Sequence, residues 1–159
     1  MAHRVSGTTR RASTRLALAA ACLGCLASPA WAGLGQTAES VVADQERLHG
    51  ELRSIAGAGF VAHEITTADG SVVTEYVDPG GSVFAVSWRG TMPPDLAQLL
   101  GAHFDEFREA ARSSVHGRRP LAVRTPRLVV EMGGHMRAFH GRAYLPDRLP
   151  SALALDAIR

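Results

Sequence analysis

The chain's 159 residues carry a formal charge of +2, yet four of its 17 basic residues and none of its 15 acids fall in the first 32 positions, leaving −2 on the following 127. Both cysteines, Cys22 and Cys25, fall in the same stretch, so residues 33–159 exclude a disulfide and a thiolate metal site. A chain of that length is expected to form one domain with one core, burying roughly two-thirds of its unfolded surface.

Residues 1–32 read as a cleavable secretory signal. Arg4, Arg10, Arg11 and Arg15 precede an apolar run from Leu16 to Ala27, and Ala30-Trp31-Ala32 precedes Gly33 as a small-x-small cleavage site. The run is shorter than the ~20 apolar residues a spanning helix needs, so no integral membrane span is expected once the signal is removed. The periplasm is the expected compartment, with full secretion as the alternative. Export takes nucleic acid off the list of partners.

Past the cleavage site, Gly33–Gln36 are expected to be a flexible start. A helix is then predicted from a Thr37 cap, with Glu39 in its first turn, Arg53 in its last, Gly57 beyond its end, and Val41, Leu48, Leu52 and Ile55 at helical spacing. Three β-rich runs follow, 60–67, 71–78 and 82–89, separated by Ala68-Asp69-Gly70 and Pro79-Gly80-Gly81. A two-residue loop at Asp69-Gly70 would oppose Glu64 and Glu75, so three-residue loops are preferred. They set Tyr76 beside Phe84, Thr74 beside Val86 and Val72 beside Trp88 as the core face, with Phe60 and Ala62. On the reverse face His63 pairs with Glu75 among Val61, Ile65, Val73, Val77, Val83 and Ala85.

A second helix is predicted from Asp95 to Arg112, after Pro93-Pro94, with Leu96, Leu99, Leu100, His103, Phe104 and Phe107 on one side. Residues 113–120 are expected to be an exposed connection. Short β runs at 121–125 and 128–132 lead to a Gly133-Gly134 turn and a returning arm, His135 to Tyr144. The expected fold is α+β: an antiparallel sheet of about five strands, a three-strand meander plus a hairpin, with two main helices on its aromatic face.

The order His63-Glu64-Ile65, Glu75-Tyr76-Val77, Val83-Phe84-Ala85-Val86, Pro94-Asp95-Leu96 with Leu99-Leu100-Gly101, and Gly133-Gly134-His135-Met136-Arg137-Ala138-Phe139 resembles an uncharacterised, domain-of-unknown-function family of small exported proteobacterial proteins. The resemblance implies export and a single domain over nearly all of residues 33–159. It implies no activity, ligand or catalytic residue.

Chemistry is constrained mainly by what is missing. His63-Glu64 begins like a zinc-protease motif, but Thr67 stands where the second His belongs, and no metal or cofactor is expected. His103 lies on the apolar side of its helix and reads as a core histidine. Ser82, in Gly80-Gly81-Ser82-Val83-Phe84, misses the last glycine of a nucleophile elbow. The strongest constellation is the run 131–144. On an extended arm His135, Arg137 and Phe139 share one face and His140, Arg142 and Tyr144 the other, either set able to cradle a phosphate or carboxylate. The expected function is a non-catalytic binding or accessory module of the cell envelope, whose partner is another envelope protein or an anionic glycan. Two alternatives stand beside it. One is a small periplasmic enzyme using His135 or His140 as base and Arg137 or Arg142 to hold an anionic substrate. The other is a structural part of an exported complex, with the apolar reverse face as its interface.

Overall fold

The computed structural model describes residues 33–113, 120–151 and 153–159. The expected signal at 1–32, and positions 114–119 of the expected connection, lie outside these residues. In chain order the elements are α1 (Glu39–Leu48), β1 (Glu51–Gly57), β2 (Phe60–Thr66), β3 (Val72–Val77), β4 (Val83–Gly90), α2 (Leu96–Leu100), α3 (Phe104–Ser113), β5 (Leu121–Arg124), β6 (Val129–His135) and β7 (Ala138–Tyr144). The strands form one seven-stranded sheet in the order β1-β2-β3-β4-β7-β6-β5, antiparallel throughout. The fold is α+β as expected, with seven strands where about five were expected.

The largest difference arises at Gly50. The helix expected to end just before Gly57 stops at Leu48, where His49 turns left-handed at φ 50° and the His49 and Gly50 amides return to the Glu46 and Gln45 carbonyls. A side chain at position 50 would stand 2.5 Å from Ile65 Cγ2, so the chain passes over β2 only as glycine. Beyond it Leu52 lies opposite Ile65, and the second half of the expected helix becomes the edge strand β1. A narrow apolar stripe cannot hold an exposed helix in water, whereas the unpaired edge of the meander offers it a full ladder.

The second expected helix is broken rather than replaced. Asp95 caps α2 by accepting from the Ala97 and Gln98 amides at 2.9 and 3.3 Å, a contribution of about 1 kcal/mol. Gly101, at φ 50° and ψ −124°, then interrupts it, and a single 3-10 turn leads into α3.

The helices lie on the face opposite to the expected one. Val41 of α1, Leu99 and Leu100 of α2 and Phe107 of α3 pack with Val73, Val77, Val86 and Trp88 of the sheet. The cause is register. A bulge between Tyr76 and Val77 sets Tyr76 opposite Ala85, Thr74 opposite Ser87 and Val73 opposite Trp88. Trp88 and Val86 thereby join the valine face, while Ala85 leaves it. The aromatic face instead carries Phe60, Tyr76 and Phe84, with ring centroids 5.8 to 6.3 Å apart, and is covered by Leu149, Leu153 and Ile158. The chain's start is tied down too: Leu34 is fully buried, and Gly35 and Gln36 exchange hydrogen bonds with Val83 at 2.8 Å, so the expected flexible start is an ordered strap.

Candidate functional site

Leu149, Leu153 and Ile158 cover only part of the aromatic face; beside them the sheet lies open as a groove of about 1120 Å³. Register places its side chains in rows running across the strands. One row crosses from Thr66 through Val72, Arg89 and His140 to Gly133, and the next from Arg53 through Glu64, Thr74, Ser87 and Arg142 to Glu131. Ile55 and Phe60 form an apolar wall at the β1–β2 end of the groove, and residues 157–159 close one side.

Two glycines shape the floor. A Cβ at Gly133 would sit 2.9 Å from His140 Nε2, so the imidazole brings its Nε2 corner against β6 on the groove side. On the helix side the Trp88 ring lies against Gly141, where a Cβ would come within 2.4 Å of Cζ2. Neither ring could take its place over a larger residue.

The charged groups divide into committed and available. Arg142 reaches Glu131 with Nε at 2.9 Å and Nη2 at 2.8 Å, and its Nη1 donates to the Leu155 and Ile158 carbonyls. Arg124 holds the other oxygen of Glu131. Hydrogen bonds from Arg142 and Arg124 keep the Glu131 carboxyl below the usual carboxylate range. This cluster ties the final segment to the sheet. Arg89, by contrast, is about half exposed and meets Glu64 only at 3.5 Å across β3. It lies directly opposite the exposed His140.

The sequence-derived candidates are thus redistributed. The hairpin turn falls at Met136-Arg137, three residues beyond the expected Gly133-Gly134, both of which lie inside β6. The short loop twists with the strands by putting Arg137 at φ 66°. His135 and His140 consequently share the groove face instead of opposing each other. His135 stays at the exposed tip, its Nδ1 3.2 Å from the Met136 carbonyl, and Arg137 sits in the turn itself. Tyr144 is buried in the aromatic cluster. His63 lies opposite Glu75, but on the helix face: its Nδ1 contacts Ser54 Oγ at 2.9 Å, and Glu75 is fully buried. Arg89, Glu64 and Phe60 join the site only through the register, which puts them on one face with His140 although they are far from it in sequence. Among the described residues no three His, Asp or Glu side chains converge as metal ligands, and no helix is long and apolar enough to cross a membrane.

A family model described as "Protein of unknown function (DUF2844)" matches residues 30–158, and the chain belongs to this family. No curated protein and no solved structure matches it.

Proposed function

We propose that this protein is an exported, non-catalytic binding module of the cell envelope, and that the open groove on the aromatic face holds its ligand. The observation that carries the reading is the pairing of Arg89 with His140 in a groove whose opposite end is an apolar wall of Ile55 and Phe60. A guanidinium and an imidazole on neighbouring strands suit a carboxylate or phosphate, and a ring further along the same groove suits the flat face of a sugar in a longer chain. An anionic glycan segment meets both requirements, and a concave, polar-rimmed groove suits it better than a flat protein surface. Export, with the periplasm as the compartment, rests on the arginine-led, short apolar amino terminus.

Calorimetric titration of residues 33–159 with uronic-acid oligosaccharides and their neutral counterparts tests the ligand class. Binding of the acidic series only, weakened at least tenfold by Arg89→Ala, is the expected result. Equal binding of both series, or of neither, rejects the glycan reading. Amino-terminal sequencing of the exported protein should begin at Gly33.

A further inference from the structure

Four buried side-chain oxygens among the described residues meet no hydrogen-bond partner: Ser40 Oγ, Asp44 Oδ2 and both carboxyl oxygens of Glu75. They belong to one place. Ser40 and Asp44 are four residues apart on α1 and share the face turned to the sheet. Glu75 lies at the centre of β3 on the face that α1 covers, where the Asp44 carboxyl is its acidic neighbour. Asp44 and Glu75 are both fully buried. The outer oxygen of Asp44 accepts from Gln98 Nε2 at 2.8 Å and Arg47 Nη1 at 3.3 Å.

Two adjacent carboxylates in a dry site cannot both be charged, because each loses its hydration and repels the other. We propose that a single proton, carried by Glu75 and donated to Asp44 Oδ2, pins α1 to the sheet, and that losing it to hydroxide releases the helix. One proton satisfies the inner oxygen of Asp44 and one oxygen of Glu75 together. The Ser40 hydroxyl supplies a further donor on the same helix face.

The surrounding groups offer no substitute charge. From β2, His63 faces Glu75, but burial lowers its basicity and leaves it neutral at neutral pH. From β4 the opposing residue is Val86, from α2 the polar neighbour is the uncharged Gln98, and on α1 Arg47 touches only the outer oxygen of Asp44. Burial first, and then the neighbouring Asp44, push the Glu75 carboxyl up to about 9. Its folded value lies above the ordinary 4.5, so the stability this group contributes is complete below 4.5, declines as the pH rises, and is lost beyond about 9.

Glu75→Gln keeps the shape and donates an amide N–H to Asp44 without titrating. In the wild-type protein, melting temperature and the exchange protection of the Ser40–Leu48 amides should fall between about pH 6 and pH 10, and in the variant both should stay level. Infrared spectra at neutral pH should show the carbonyl band of a protonated carboxylic acid in wild type and lose it in Glu75→Gln. An unchanged slope in the variant, or no such band in wild type, overturns the proposal. So does a rise in wild-type melting temperature on adding calcium or magnesium chloride that Glu75→Gln abolishes, since the site would then hold a hard cation. The infrared band is read on the wild type, so the test survives a variant that fails to fold.

Discussion

Arg142 and Glu131 meet across β7 and β6 through two nitrogens on one carboxylate oxygen, Nε at 2.9 Å and Nη2 at 2.8 Å, while the third nitrogen of the same guanidinium holds the Leu155 carbonyl. One arginine therefore joins a strand pair to the segment that crosses them. Both side chains are only about one-quarter exposed, which places the pair between the weak surface case and the costly buried one. Arg142→Met should lower unfolding free energy by about 1–3 kcal/mol in urea titrations. In the same variant the Leu153–Arg159 amides should become the fastest-exchanging part of the sheet's cover. Arg142→Lys should recover less than half of the loss, because an ammonium cannot fork between a carboxylate and two carbonyls.

Ile158 tests the other half of that attachment. It is 1 % exposed over the Phe60, Tyr76 and Phe84 rings, so Ile158→Ala leaves a cavity beneath a short covering segment. A loss of about 2–4 kcal/mol in the urea midpoint experiment is expected. The low end would apply if the segment settles inward.

Much of the strand pattern was readable because apolar and turn residues are regular between Phe60 and Arg89, and again between Leu121 and Tyr144. The register was not, since a bulge at Tyr76 leaves no mark in composition yet moves Trp88 and Ala85 to opposite faces. Residues 51–57 also misled, because Leu52 and Ile55 fit a helix until the free edge of β2 is available to pair with them. The groove was half legible. His140 and Arg142 stood out as chemistry-bearing residues in one short run, whereas Arg89 lies some fifty positions away and joins them only through the β4–β7 pairing. Glu75 carried a usable signal, a lone acid inside Val72-Val73-Thr74-Glu75-Tyr76-Val77. Its partner Asp44 did not, since a single acid on a helix is ordinarily solvated.

Trp88, the one tryptophan in residues 33–159, reports on the floor of the groove. Gly141→Ala forces the indole off β7, because the new Cβ would stand 2.4 Å from Cζ2. The expected outcome is a destabilisation of about 1–3 kcal/mol, accompanied by a red-shifted fluorescence maximum as the ring is displaced. Gly59→Ala meets nothing within 4 Å and strains only its φ of 81°, so it should leave the emission unchanged.

Just below neutrality the half-buried histidines His63 and His103 should contribute to acid destabilisation. Burial is the main cause that lowers both below 6.5, so the unfolded chain binds protons more readily than the folded one. Their contribution is complete above pH 6.5 and is lost as the pH falls through the lowered folded values. His63→Asn and His103→Asn should each flatten the fall in melting temperature below neutrality. A fall as steep as wild type in both variants would assign it to other groups.

The groove is the centre of the functional account, and the most direct measurement is residue-level mapping of ligand binding. Titrating isotopically labelled residues 33–159 with a uronic-acid oligosaccharide should shift the amides of Phe60, Arg89 and His140 together, along one binding curve. Arg89→Ala and Phe60→Ala should each weaken that curve at least tenfold, while Arg108→Ala on the solvent side of α3 leaves it unchanged. Shifts clustered on α3, or equal affinity in wild type, Arg89→Ala and Phe60→Ala, would contradict the account.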